Sequence, residues 1–111
     1  MNISSRSPLV SVIIPAYNAE NFIEKTLESV YTQTFRDFEI IVVDDGSKDR
    51  TKEVVDLSIK DRGVYGRCIR QENKKIAAAR NTGMNAASGK YIALLDHDDF
   101  WMPNKLDVVM T

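Results

Sequence analysis

The chain has 111 residues, 43% of them hydrophobic and 28% charged, which is ordinary for at most one globular domain. Its 15 basic and 16 acidic residues give a formal net charge of −1, and without a basic block this excludes a nucleic-acid partner from our expectations. No apolar run approaches the roughly 20 residues that span a bilayer, and residues 1–7 lack the apolar core of a signal peptide.

Four short apolar runs are predicted strands: residues 9–14, 38–43, 67–70 and 91–95. The first, second and fourth are nearly continuous in Val, Ile and Leu, which predicts strands buried on both faces, as in a parallel sheet. The third run is weaker and contains the single cysteine, Cys68. We interpret Cys68 as a small buried apolar residue rather than a reactive thiol. With one cysteine and no signal peptide, we expect a reducing, cytoplasmic setting.

Helix-like segments separate these strands. Residues 19–34 carry apolar side chains at helical spacing, with acidic and basic residues on the other face. Asp49 is a candidate cap for a second helix. The Ala-rich residues 76–88 predict a third helix, with Gly89 as its stop. Pro103 fits the first position of a fourth helix.

The order β-α-β-α-β-α-β predicts an α/β fold, a Rossmann-like parallel sheet with alternating helices and right-handed crossovers. A doubly wound sheet usually has more than four strands, and this chain stops inside a helix. We therefore expect residues 1–8 to be a tail. We expect residues 9–111 to be the N-terminal part of a longer domain, truncated after the fourth strand.

Open α/β sheets bind ligands beyond the carboxyl ends of their strands. After the first strand, Pro15 is predicted to end strand pairing. Tyr17 can present an aromatic face to a planar base, and Asn18 can hydrogen-bond a ligand. The sequence leaves open a packing role for Tyr17 and a helix cap at Asn18.

The second strand ends in Asp44-Asp45-Gly46-Ser47, where Gly46 permits a tight turn with positive φ. One aspartate can accept hydrogen bonds from the imide edge of a base or from ribose hydroxyls. A plain turn with a helix-capping acid explains these residues equally well. A response-regulator pocket is disfavoured, because its phosphoacceptor would follow a further strand, and the third strand is followed by residues 71–73, Gln-Glu-Asn.

The fourth strand ends in Asp96-His97-Asp98-Asp99. Such a carboxylate cluster repels itself unless it is solvated, protonated or neutralised by a cation. Oxygen ligands of this kind suit Mg²⁺ or Mn²⁺ bridging to substrate phosphates, while a solvated turn is the competing interpretation. His97 is interpreted as a spacer, since strand alternation would turn it away from its neighbours. Arg80, embedded among alanines, is a candidate to meet a diphosphate.

Together these segments resemble the family 2 glycosyltransferases, which have the A-type nucleotide-sugar fold. The resemblance covers nearly the whole chain after Pro8. Each matching segment alone is only moderately specific for the family, but six of them in the same order are strongly specific. They are residues 10–18 (VSVIIPAYN), 29–34 (SVYTQT), 41–47 (IVVDDGS), 79–83 (ARNTG), 87–92 (ASGKYI) and 95–99 (LDHDD), with 101–106 also fitting.

The resemblance implies a role for each matching position. The donor-binding residues would be Pro15, Ala16, Tyr17, Asn18, Glu20, Asp45, Arg80 and Asp96. Among them, Tyr17 would lie near the base, Asp45 would contact it, and Arg80 would lie near the base or the diphosphate. Asp96 and Asp98 would form the Asp-x-Asp motif and hold Mn²⁺ or Mg²⁺, with Asp98 as the direct ligand. Asp99 matches an often acidic position and receives no role.

One loop departs from the family pattern. The family often has Asn-x-Gly before the Ala-Arg-Asn stretch, whereas this chain has Asn73-Lys74-Lys75. We expect that loop to be stiffer or differently shaped, with side chains that alter donor contacts.

The implied activity is inverting transfer from a nucleoside-diphosphate sugar to a glycan or lipid-linked acceptor, in polysaccharide or cell-envelope glycan synthesis. This places the protein in the cytoplasm or at the cytoplasmic face of a membrane. The resemblance puts the general base beyond Thr111, so no catalytic base is assigned, and we expect the 111 residues alone to have little transferase activity. An unfinished sheet is also expected to favour self-association.

Two other functions compete with this interpretation. A phosphatase of the haloacid dehalogenase type also places Asp-x-Asp after an apolar strand, with Asp96 then the nucleophile. Its motif opens the domain and usually has Thr or Val two positions after the second aspartate, whereas here the motif comes late and Phe100 holds that position. The second competitor is a non-catalytic nucleotide-binding or partner-binding module.

Overall fold

A computed structural model describes residues 7–110, and most of the predicted tail and Thr111 lie outside this part. Within it, strands and helices alternate along the chain. They are β1 (Val10–Ala16), α1 (Ile23–Tyr31), β2 (Phe38–Asp45), α2 (Thr51–Arg62), β3 (Gly66–Gln71), α3 (Lys75–Ala86), β4 (Tyr91–Leu94) and α4 (Lys105–Met110).

The strands form one parallel sheet in the order β3-β2-β1-β4. Val10 of β1 is in register with Phe38 of β2 and with Tyr91 of β4. The predicted α/β fold with a parallel sheet is confirmed. Because all strands run the same way, the ends of β1, β2 and β4 lie at one edge of the sheet.

Strands β1 and β2 are buried along their whole length, because helices cover both faces of the sheet. Val12 and Ile14 point to the face covered by α1 and α2, whereas Ile13 points to the face covered by α3. Successive side chains of a strand point to opposite faces of the sheet, so a continuous apolar run is buried on both faces. No helix among residues 7–110 has the length and apolar character needed to cross a bilayer.

Helix α3 lies close against the sheet at Gly83, which is buried. A Cβ built on Gly83 would collide with the Cγ2 of Ile13 and lie 3.3 Å from the Cγ2 of Val43. The absence of a side chain at this position therefore lets α3 approach β1 and β2. This approach also places Arg80, one turn earlier on α3, beside the carboxyl ends of the strands.

Pro15 does not end strand pairing, so that prediction is wrong. It lies inside β1, in register with Val43 of β2. The carbonyl of Ile13 points towards β4, where it accepts a hydrogen bond from Leu95 N. Backbone groups two residues apart in a strand point the same way, so the backbone of Pro15 also faces the β4 side. Because β4 ends at Leu94, the missing N–H of Pro15 removes no bond of the ladder.

Two predicted helix ends are also corrected. Helix α3 ends at Ala86, and Ala87 is already extended (φ −69°, ψ 139°), so Gly89 is not its stop. Gly89 N instead donates to Ser11 Oγ at 2.8 Å, where a Cβ on residue 89 would lie 2.6 Å from that oxygen. Close approach to β1 thus explains this glycine. Pro103 lies in a turn, and α4 begins two residues later.

The buried amide of Gln33, 1% exposed, attaches α4 to the end of α1. Its Nε2 donates to the carbonyls of Ser29 (3.0 Å) and Met102 (2.7 Å), and its Oε1 accepts from Leu106 N at 2.9 Å. Since buried polar groups cost free energy unless they are paired, this fully bonded amide fixes where residues 102–106 pack. It thereby also anchors the chain that follows the acidic strand end.

The edge strand β4 carries partly exposed apolar side chains, Tyr91, Ile92 and Leu94. An edge strand of this kind offers unpaired backbone groups as well as apolar surface. The predicted self-association therefore has a structural basis here, and it stays a prediction.

Candidate functional site

A small cavity of about 70 Å³ opens where β1, β2 and the chain after β4 end. Its lining combines apolar side chains with one carboxylate and one imidazole. The residues are Pro15, Ala16, Tyr17, Asp45, Ile76, Ala79 and His97. Four of the predicted donor-binding residues are thus brought together, and α3 supplies the wall opposite the β1 loop.

The loop after β1 is bonded to the loop after β2. Asn18, at a left-handed φ of 49°, accepts at Oδ1 from Lys48 N (2.8 Å) and donates from its backbone N to Ser47 Oγ (2.8 Å). Glu20 Oε2 accepts from Arg50 N at 3.2 Å. Asn18 is therefore not a cap of α1, and these side chains hold the two loops in a fixed arrangement beside the cavity.

Asp49 serves the first turn of α2, although it lies one residue before the helix N-cap. Its Oδ1 accepts from Thr51 N at 3.0 Å, and its Oδ2 accepts from Glu20 N at 3.2 Å. Desolvation acts to raise the pKa of Asp49, but the hydrogen bonds from Thr51 and Glu20 outweigh it and lower the pKa below its ordinary value. The carboxylate therefore stays ionised where it joins both loops.

The two aspartates at the end of β2 have different environments. Asp44 is fully buried, accepts from Ser47 N at 2.9 Å and faces Arg70, whose Nη1 lies 3.6 Å from Oδ2. That distance is too long for a hydrogen bond, and Oδ2 has no hydrogen-bond partner within residues 7–110. Asp44 is thus a turn residue, and Asp45 is the one that faces the cavity.

Asp45 binds the start of α3 with both carboxylate oxygens. Oδ1 accepts from Gln71 Nε2 (2.9 Å) and Lys74 N (2.8 Å), and Oδ2 accepts from Lys75 N (3.0 Å). The carboxylate therefore takes the place of a side-chain cap at the N-terminus of α3, where none is present. The sequence did not predict this link, because it joins residues 30 positions apart.

The loop at 73–75, which departs from the Asn-x-Gly pattern of the family, has an unusual backbone conformation at Lys75. Its φ is 78°, in the left-handed region that side chains other than glycine rarely adopt. Such a conformation costs roughly 1–2 kcal/mol for an L-residue. Lys75 occupies the position of the family's glycine, and the hydrogen bond to Asp45 holds it in this conformation.

Residues 96–99 form a turn closed by Asp99 N donating to the Asp96 carbonyl at 3.1 Å. Asp96 pairs with Arg80, whose Nη2 donates to Oδ1 at 3.2 Å. Asp98 and Asp99 are exposed. The acidic turn is thus tethered to α3 at its first carboxylate and open to solvent at the other two.

His97 is more than a spacer, contrary to the prediction from strand alternation. The alternation fails because β4 has already ended at Leu94. The ring lines the cavity, and its Nδ1 accepts a long hydrogen bond from Tyr17 N at 3.4 Å. Thr26 Oγ1 fixes the backbone by donating to the His97 carbonyl at 2.7 Å.

The acidic turn offers two carboxylates, Asp96 and Asp98, to a divalent cation. No group of three or more His, Cys, Asp or Glu side chains with metal-site geometry occurs among residues 7–110. Mg²⁺ and Mn²⁺ sites on nucleotide enzymes use one or two carboxylates and complete their shell with phosphate oxygens and water. The donor set therefore fits a cation that binds together with a diphosphate.

Comparison with known proteins agrees with this architecture. The family model for glycosyl transferase family 2 matches residues 11–111. The Escherichia coli enzyme WfgD, a UDP-Glc:alpha-D-GlcNAc-diphosphoundecaprenol beta-1,3-glucosyltransferase, is 45% identical over 101 residues, which are 90% of this chain and 39% of WfgD. The chain spans 27–32% of the length of the first curated relatives that it matches.

Two solved structures share the fold. S. aureus TarS 1-349 in complex with UDP superposes with a TM-score of 0.84 at 29% identity, over 92% of this chain and 31% of the TarS 1-349 chain. The mannosyltransferase PcManGT from Pyrobaculum calidifontis, in complex with GDP-Man and Mn²⁺, gives 0.80 at 32% identity, over 87% and 29% of the two chains. The chain belongs to glycosyl transferase family 2.

Proposed function

We propose that this chain is the donor-binding part of an inverting, metal-dependent glycosyltransferase that uses a nucleoside-diphosphate sugar. The observation that carries the proposal is the convergence of Tyr17, Asp45 and the acidic turn at one edge of a parallel sheet. A planar base needs an aromatic face, a ribose needs hydrogen-bond acceptors for its hydroxyls, and a diphosphate needs a cation site. The UDP and GDP-Man complexes of the two structural relatives support a nucleotide donor.

In the proposed arrangement the base lies against Tyr17, and Asp45 accepts a hydrogen bond from it. Pro15, Ala16 and Ala79 supply the apolar floor, which favours a planar ring over water. Asn18 and Glu20 act by holding the β1 loop in place. Preorganised contacts of this kind lower the ordering cost of binding.

Arg80 and the acidic turn are proposed to hold the diphosphate. Asp98, with Asp96, would bind Mn²⁺ or Mg²⁺, which supplies charge neutralisation for a leaving diphosphate. Arg80 turns from Asp96 towards the phosphate oxygens, so that its guanidinium keeps an anionic partner. Inverting transfer also needs a general base for the acceptor hydroxyl, and we assign none among residues 7–110.

A glycan or lipid-linked acceptor, in polysaccharide or cell-envelope glycan synthesis, is the corresponding proposal for the whole protein. The name of WfgD, with its diphosphoundecaprenol acceptor, supports this class. A lipid-linked acceptor also fits a cytoplasmic protein that associates peripherally with a membrane.

Calorimetric titration of the 111-residue chain with UDP, GDP and dTDP, each with and without Mn²⁺, tests the donor proposal. We expect saturable binding of at least one nucleotide, tighter with Mn²⁺. A chain that is folded by circular dichroism and binds none of the three under either condition would overturn the proposal.

A further inference from the structure

We propose that Lys75 determines nucleobase specificity, by pairing with Asp45 to recognise a base that has an N–H next to a carbonyl, as uracil, thymine and guanine do. The inference rests on the proposed nucleotide site and names the class of base that the site takes. Lys75 directly precedes Ile76, which lines the cavity, and its backbone is held in an unfavourable conformation.

Lys75 is the first residue of α3 and has a φ of 78°. Its backbone N donates to Asp45 Oδ2, and the next residue, Ile76, lines the cavity. The Lys75 side chain is exposed, and within residues 7–110 its ammonium has no hydrogen bond or ion pair. Strained residues that persist tend to cluster at functional sites, where the side chain or backbone is used.

The hydrogen bonds of Asp45 decide what the pair can recognise. A carboxylate accepts about four hydrogen bonds, two at each oxygen. Oδ1 already accepts two, from Gln71 and Lys74, and Oδ2 accepts one, from Lys75. Among residues 7–110, one acceptor position therefore remains, on the oxygen that is bonded to the backbone N of Lys75. The exposed Lys75 side chain begins at the same residue and is long enough to bring its ammonium next to a base held at that oxygen.

An acceptor beside a donor complements the N–H and carbonyl of an imide or lactam edge. Cytosine and adenine present the reverse pattern, a ring nitrogen acceptor next to an amino group, which would place an amino group against an ammonium. A site built to hydrogen-bond one edge discriminates strongly against an edge that leaves its polar groups unpaired. The pair thus selects UDP, dTDP or GDP over CDP and ADP.

The test compares UDP with CDP, and GDP with ADP, by calorimetry in the presence of Mn²⁺. We expect the wild-type chain to prefer UDP over CDP and GDP over ADP. Lys75→Met should lower each preference about tenfold, since it removes one charged hydrogen-bond donor. Lys60→Met, which removes an equal charge from an exposed position on α2, should keep both preferences.

Lys75→Gly separates a binding role from a folding role. Glycine adopts a positive φ at no steric cost, so this variant should have a higher melting temperature than Lys75→Met while losing base preference to the same extent. A loss of preference caused by misfolding cannot accompany greater stability.

The outcomes distinguish this inference from the proposed function. If the wild-type chain binds UDP and CDP equally, or if Lys75→Met keeps the wild-type preference, the role of Lys75 is overturned and nucleotide binding stands. If no nucleotide binds at all, both proposals fail.

Discussion

The guanidinium of Arg80 donates from Nη2 to Asp96 Oδ1 at 3.2 Å and so joins α3 to the acidic turn. The Nε of Arg80 is buried and has no hydrogen-bond partner in the part of the chain that the structure describes. A buried donor left unpaired costs free energy, so the observed pair does not satisfy the guanidinium fully. An anion entering beside α3 would meet a cation that is held by only one bond.

Replacement of Arg80 by alanine should weaken nucleotide binding without unfolding the chain. The two side chains are 36% and 47% exposed, and such ion pairs contribute about 0–1 kcal/mol to stability. We therefore expect the free energy of unfolding, measured by urea titration, to change by less than about 1 kcal/mol. The affinity for UDP or GDP should fall about tenfold, as calorimetry would measure. Arg50→Ala, an exposed arginine that pairs with Glu53, is the control and should bind normally. Equal binding by Arg80→Ala and Arg50→Ala would rule out a diphosphate contact.

Asp98→Ala should remove the dependence of nucleotide binding on Mn²⁺. Asp98 is exposed in the acidic turn, so truncation of its side chain leaves no buried group unpaired and should leave the melting temperature unchanged. Calorimetric titration with UDP or GDP should then give the same weak affinity with and without Mn²⁺. Asp61→Ala, an exposed aspartate on α2, controls for the change in net charge. Retention of the Mn²⁺ effect in Asp98→Ala would exclude Asp98 as the ligand.

Gln33→Ala should destabilise the chain by about 3 kcal/mol, because it removes the partner of the Ser29 carbonyl and of Leu106 N and one of the two hydrogen bonds to the Met102 carbonyl. Thermal unfolding followed by circular dichroism measures the loss. Gln33→Glu should be no better, since a buried carboxylate cannot donate to the Met102 carbonyl and costs more to desolvate. A melting temperature within one or two degrees of wild type in both variants would contradict the role given to this amide.

Cys68 should be unreactive in the folded protein. Burial, with a further contribution from Asp44, raises the pKa of the Cys68 thiol from 9.0 to about 12. The thiolate, which is the nucleophile, is therefore scarce at pH 8, and iodoacetamide should label the folded chain far more slowly than the chain in urea. Mass spectrometry measures both rates. Rapid labelling of the folded chain would contradict the interpretation of Cys68, which is partly buried, as an inert residue.

The same shift makes stability depend on alkaline pH. A folded-state pKa above the unfolded value means that the folded state holds its proton more tightly. The contribution to stability is therefore complete below pH 9 and declines as the pH rises towards about 12. Urea titrations of wild type and Cys68→Ala at pH 8 and pH 10.5 would measure this, and the difference between the two proteins should shrink at the higher pH. Burial also raises the pKa of Tyr31, but that residue is common to both proteins and cancels in the comparison.

Local patterns in the amino-acid sequence are enough to predict the order of the elements and which edge of the sheet carries the site. Apolar runs such as residues 38–43 and the helical spacing of residues 19–34 are local patterns, and their periods follow from backbone geometry. The parallel sheet follows from strands that alternate with helices, and convergence of Tyr17, Asp45 and Asp96 follows from the parallel sheet. The Asp-x-Asp motif and the glycine missing from the loop at 73–75 are likewise readable in the chain.

The hydrogen bonds of the site residues become visible only in the folded structure. Asp45 holds Lys75 from 30 positions away, and His97 accepts from Tyr17 across 80 positions. The hydrogen-bond partners of such groups depend on how helices and loops pack, which no local period encodes. For the same reason the sequence places Pro15 wrongly at a strand end. In the folded sheet β4 ends before it reaches Pro15. Pro15 can therefore lie inside β1 without the loss of a hydrogen bond between strands.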